Sequence, residues 1–215
     1  QKIKLLSHRS KSLPAPAMRI RLAFLFLMMA VSPAMAAPHV LVTIKPIHSL
    51  VASVMRGVAV PDLLIGGAAS EHGYALKPSD ARKLAGADIV FWVGPNLETF
   101  LVAPLQNLAG HARAVTLENA ATMRRLPSRR GGLWGADPDE GETDPHIWLD
   151  AHNAVAMTRV IAAELAHADP ANAKKYYANA AASIASLVKL DRRIAARLAP
   201  IRTRPYIVYH DAYHY

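Results

Sequence analysis

No cysteine occurs anywhere in the 215 residues. That excludes disulfides and thiolate metal sites, and it removes the residue a lipid-modified bacterial lipoprotein carries at its cleavage point. Acidic side chains are missing from residues 1–36, which hold six basic ones: Lys2, Lys4, Arg9, Lys11, Arg19 and Arg21. Without that stretch, 19 basic residues face 16 acidic ones, so the formal charge falls from +9 to +3. Such a balance is an ordinary surface rather than a footprint for phosphates, and no nucleic-acid partner is expected. Membrane-length apolar runs are missing too. The run at 22–31 (LAFLFLMMAV) has ten residues, about 15 Å of helix against a bilayer core of about 30 Å.

That run sits instead in the setting of a signal peptide. Residues 18–21 (MRIR) precede it as a positive n-region, and 33–36 (PAMA) supply an A-x-A cleavage site after it. Cleavage after Ala36 is expected, with Met18 the initiator, residues 1–17 an upstream extension, and the mature protein free in the periplasm.

Beyond residue 36, apolar runs and helical patterns alternate. HVLVTI at 39–44 reads as a buried strand and 47–55 as a short helix stopped by Gly57. DLLIGG gives a second strand, 78–84 a helix with Gly86 beyond it, DIVFWVG at 88–94 a third strand, 98–108 a helix, and AVTL a fourth strand. This alternation predicts an α/β domain with a mainly parallel sheet, whose site lies in the loops leaving the carboxyl ends of the strands. Residues 118–143 carry arginine pairs, Gly131-Gly132 and an acidic, glycine-bearing run, and read as a surface loop. A helix at about 153–167 places Met157, Ile161 and Leu165 on one stripe, with Arg159 and Glu164 off it. A second opens at Asp169-Pro170 and runs to about Leu198, some 28 residues and about 42 Å. That length suggests a strut between lobes. PYIVYHDAYHY then starts what reads as a new strand, just inside a truncated second lobe. The expected layout is an extension and signal peptide at 1–36, an N-terminal α/β lobe at 37–168, a linking helix at 169–199, and the start of a C-terminal lobe at 200–215.

Three histidines stand where apolar runs meet loops: His72 in SEHGY, His146 in TDPHIWLD and His210 in VYHDAY. Imidazole is the commonest protein ligand for zinc, and three nitrogens plus a fourth partner suit a tetrahedral ion. Asp144, Asp150 and Asp211 are candidates to orient these rings, and Glu71 or water could complete the coordination. Separations of 74 and 64 residues match no compact zinc motif, so spacing alone does not find this site. His39, His48, His111, His152 and His167 have no convergent partners in sequence. His214 lies four residues after His210, but YIVY is strand-like, and His210 alone is the expected ligand.

TIKPIHSLVASVM, GGAASEHGYALKPSDARKLAGADIVFWVGPNLE, DPHIWLD, the long helix and YIVYHDAYHY together resemble the zinc-binding receptors of bacterial zinc ABC importers. The resemblance covers essentially all of 39–215. It implies a two-lobed metal-receptor fold with a parallel-sheet N-terminal lobe and a second lobe nearly absent. It also implies a monomer that binds zinc through His72, His146 and His210, with Glu71 or water as fourth partner, and hands the ion to a membrane permease without chemical turnover. Related manganese receptors are similar but typically carry a carboxylate where this chain has His210, and nitrogen-rich coordination favours zinc. One departure is that 118–143 contains no histidine, where family members often have a histidine- and acid-rich loop. The competing readings are a zinc hydrolase with Glu71 as general base, opposed by the lack of HExxH or a similar compact motif, a manganese-selective receptor, and a nonfunctional fragment.

Overall fold

A computed structural model describes residues 36–67, 69–129 and 141–215. The signal-peptide reading, and the part of the surface loop at 130–140, lie outside the described residues. Four parallel strands form one sheet in the order β2-β1-β3-β4: β1 (Val40–Val42), β2 (Asp62–Leu63), β3 (Ile89–Trp92) and β4 (Arg113–Thr116). β1 and β3 are buried throughout, as continuous Val/Ile/Leu/Phe runs in a parallel sheet must be when both faces are covered. β2 is short, yet Leu64 and Ile65 still donate to Val42 and Thr43 of the neighbouring strand at 2.8 and 2.9 Å.

Helices make the crossovers that parallel pairing requires. α1 (Lys45–Val54) turns Ile47, Val51 and Val54 into the core at i, i+4 and i+7. α2 (Pro78–Gly86) begins on a proline, and Asp80 reaches back to accept the Lys77 backbone N–H at 2.9 Å. The helix expected at 98–108 divides into a 3-10 turn (Thr99–Leu101) and the short α3 (Val102–Asn107). Pro104 fits the division, since it has no N–H to donate back to Phe100 in a helix running on from residue 98, yet it is tolerated in the first turn of α3.

α4 (Ala151–Ala168) buries the predicted stripe of Met157, Ile161 and Leu165 completely. Asp169 then caps a 3-10 turn (Pro170–Asn172) that leads into α5 (Ala173–Leu198), which at 26 residues is about 39 Å long. Its first half is bolted to α1. Tyr176 is fully buried with its hydroxyl donating to Asp169 at 2.8 Å, and Asn179 Nδ2 donates to the Val54 and Arg56 carbonyls at 2.8 and 2.9 Å. The Val54 carbonyl ends α1, where helix acceptors lack intrahelical partners, and the Arg56 carbonyl lies in the turn just beyond it. Beyond Ala180 no residue of α5 is buried.

The strand expected at PYIVYHDAYHY is not there. Residues 205–215 hold bends and turns only, and Ile207 and Tyr209 are fully exposed. A strand exists through its ladder, and among the described residues no strand lies alongside this segment, so β propensity alone does not produce one here.

His39, assigned no partner from sequence, is a clip between three elements. Its ring nitrogens bond the Gly86 carbonyl at 2.8 Å and Asp62 at 2.9 Å, and its backbone N–H donates to Asp88 at 2.7 Å. The Gly86 carbonyl, followed by Asp62, raises its pKa.

Candidate metal centre

Three arms carry the three histidines. The first is the loop after β2. Lys45 Nζ donates to the Gly67 carbonyl at its start, and Lys83 Nζ holds the Leu63 carbonyl at 2.7 Å. At its far side Tyr74 donates to Asp80 at 2.9 Å and rests on Phe100, with ring centroids 5.6 Å apart. Asp80, 5% exposed, thus closes the loop onto the first turn of α2 while also capping it. Between these fixed points lies His72, half-buried, whose backbone N–H donates to Ser70 Oγ at 3.3 Å.

The second arm precedes α4. Asp144 donates its backbone N–H to the Leu126 carbonyl, next to a bridge pairing Pro127 with Thr143. Its Oδ1 accepts both the backbone N–H of His146 at 2.9 Å and the ring Nδ1–H at 2.8 Å. Burial would raise the Asp144 pKa. The hydrogen bonds and charge interaction from His146 outweigh burial and hold the carboxyl below its ordinary value. The Trp148 and His146 rings meet at 63°, with centroids 5.3 Å apart. His146 is 1% exposed, so its orientation is set on every side.

The third arm is the irregular segment after α5, which brings an exposed His210 over the other two. His210 Nε2 lies 2.9 Å from His146 Nε2, and His72 Nε2 lies 3.2 Å from the same atom. All three ligand nitrogens fall within 4.8 Å of one another. Nitrogens bound to one zinc ion at about 2.0–2.1 Å stand about 3.3–3.4 Å apart in tetrahedral geometry. The two short separations come close to that figure.

The protons make the same point. With Nδ1–H committed to Asp144, neutral His146 presents a lone pair at Nε2. One in-plane lone pair cannot satisfy two neighbouring ring nitrogens as donors at once. A cation at the centre would accept all three pairs. Among the described residues this is the group of side chains able to hold a metal ion.

Other candidates fall elsewhere. Glu71 is half-buried and outside the three-nitrogen group. Of the three aspartates considered as ring-orienting partners, only Asp144 meets a ligand ring. Asp150 caps α4 by accepting the His152 N–H at 2.8 Å and faces Arg124 at 3.7 Å, whereas Asp211 faces Arg129 at 3.5 Å. His214 stays out of the group, with Nδ1 3.8 Å from Asp144 Oδ2.

Sequence reasoning missed Trp148, Tyr215 and Glu98. Tyr215 spans 71 residues to reach Asp144, a distance no local signal reveals. Glu98 is fully buried in the segment between β3 and the 3-10 turn at Thr99–Leu101, accepting from Thr43 Oγ1 and from Gly94 N–H at 3.0 Å. Burial pushes its pKa up to about 7. Its strongest available signal was GPNLE, a glycine and a carboxylate four residues apart just after a strand. Glycine is favoured there by its φ of +156°, which L side chains rarely adopt, and a Cβ on Gly94 would lie 2.3 Å from the Glu118 side chain, which would have to move.

Parallel sheet, long helix and convergent imidazoles place the chain in the class of metal-receptor substrate-binding proteins. The Zn(II)-bound ZnuA-like domain of Streptococcus pneumoniae AdcA superposes with a TM-score of 0.69 at 25% identity, over 83% of this chain and 62% of that one. The periplasmic zinc binding protein TroA from Treponema pallidum shares the fold, with a TM-score of 0.65 at 23% identity, over 76% of this chain and 56% of that one. The chain belongs to the family of the zinc-uptake complex component A, periplasmic (ZnuA), whose sequence pattern matches residues 40–215. The high-affinity zinc uptake system protein ZnuA of Brucella abortus is 38% identical over 209 residues, covering 82% of this chain and 63% of its own length. That of Paracoccus denitrificans is 32% identical, covering 83% and 62%. The chain thus spans a little under two thirds of the length of these curated relatives.

Proposed function

We propose that this chain captures Zn2+ in the periplasm through the Nε2 atoms of His72, His146 and His210, and passes it to an ABC-type permease. The observation that carries this reading is the convergence of three ring nitrogens from arms 74 and 64 residues apart in sequence. Membership of a zinc-uptake family described as periplasmic supports this process and compartment.

The arrangement suits a carrier. His146 is buried and aimed by Asp144, His72 is half-buried, and His210 is carried on a separate segment, so the ligand set can assemble around an arriving ion. Water, or Glu71 after a local shift, would supply the fourth partner. An all-imidazole protein set favours zinc over manganese, which prefers oxygen.

Zinc titration against a competing chelator tests this, comparing the wild type with His72→Ala, His146→Ala and His210→Ala. Each variant should lose severalfold or more in affinity, and manganese run in parallel should bind far more weakly. Three silent substitutions would end the reading. Hydrolysis of a chromogenic ester by the zinc-loaded protein would replace it with an enzymatic one.

A further inference from the structure

We propose that Tyr215 is a positioning residue for the metal centre, seating His210 against the other two imidazoles. This rests on the zinc-binding reading and adds to it the means by which the third ligand is held.

Among the described residues, few other contacts hold the segment bearing His210. Every side chain from residue 199 to 211 is exposed, and the described residues 202–215 form no helix or strand. The Arg129–Asp211 pair spans 3.5 Å with both side chains 45% exposed. Solvent-exposed pairs of that kind contribute little. His214 Nδ1 stands 3.8 Å from Asp144 Oδ2, beyond hydrogen-bond reach.

Tyr215 is different. Its ring packs partly buried against the core, and its hydroxyl is engaged on both sides. It accepts the Leu126 backbone N–H at 3.1 Å and donates to the Asp144 carbonyl at 3.0 Å. Asp144 is also the residue whose carboxylate orients His146. One phenol therefore ties the peptide that carries His210 to the peptide that aims His146. The path between them is short and folded back, since Ala212, itself buried, donates its N–H to the His210 carbonyl at 2.9 Å. Fixing Tyr215 consequently limits where His210 can travel.

Tyr215→Phe keeps the ring and removes both hydrogen bonds. Zinc affinity should fall about 3- to 10-fold by chelator competition, with the loss appearing as faster release of zinc to excess chelator. The decisive readout is a double-mutant cycle. If Tyr215 acts by seating His210, Tyr215→Phe adds nothing in a His210→Ala background, yet keeps its full effect in a His72→Ala background. The visible spectrum of the cobalt-loaded protein gives a second readout: Tyr215→Phe should shift it toward that of His210→Ala. Full affinity in Tyr215→Phe, or the same further loss in both backgrounds, overturns the proposal. If His210→Ala itself leaves zinc binding intact, the zinc reading fails instead.

Discussion

Asp144→Asn isolates the aim of His146 from its presence. In the wild type a carboxylate oxygen accepts two N–H groups of His146, at 2.8 and 2.9 Å, inside a pocket that leaves Asp144 5% exposed. Charge-assisted bonds of this kind contribute about 1.5–3 kcal/mol against about 0.5–1.5 for neutral ones. Asparagine keeps the shape and one acceptor but loses the charge, so about 1–2 kcal/mol of support for the ring disappears. At 1.4 kcal/mol per decade, zinc affinity should fall about 5- to 30-fold. The lower part of the 10- to 100-fold range seen when partners of metal-bound histidines are removed overlaps this. Chelator competition at neutral pH measures the change, and far-UV circular dichroism of the apo protein checks that the fold survives. Trp148, beside the His146 ring, offers a fluorescence signal for the same titration. Affinity within twofold of wild type would show that Asp144 does not govern the ligand.

Three further outcomes follow from charged groups elsewhere. Glu98 has a folded pKa of about 7, above its usual 4.5. Its contribution to stability is therefore complete below about pH 4.5 and is lost as pH rises through about 7. Relative to Glu98→Gln, the wild type should lose on the order of 3 kcal/mol across that window in urea titrations; parallel curves would refute the assignment. His39 also has a raised folded pKa, so its clip stabilises fully below about 6.5 and fades as pH climbs past the folded value. His39→Ala should cost more at pH 6 than at pH 8, and an equal cost at both would contradict this. Asp80→Ala removes the first-turn partner of α2 and the Tyr74 anchor together, costing about 1–2 kcal/mol of stability and weakening zinc binding through His72. Unchanged zinc affinity would separate the cap from the site.

What the sequence made legible was whatever depends on neighbours in the chain. IVFW reads as a buried strand because a two-sided parallel strand has no polar face, and the Met157, Ile161, Leu165 stripe reads as a helix because its period is local. Pairing is not local. PYIVY has strand propensity yet forms none, and His39 looks unpartnered until Asp62 and Gly86 arrive from 23 and 47 residues away. The three histidines are a stronger case. No spacing rule connects residues 74 and 64 apart, and only resemblance to a family put them together before the fold did. Asp144 was one of three equivalent aspartates by sequence, and the short Asp144–Pro145–His146 turn is what singles it out.

Zinc K-edge X-ray absorption of the loaded protein tests the central claim most directly. Three imidazole nitrogens at about 2.0–2.1 Å are expected, falling to two in each of His72→Ala, His146→Ala and His210→Ala. A first coordination sphere with fewer than three imidazoles in the wild type, or one that none of these substitutions alters, would contradict it.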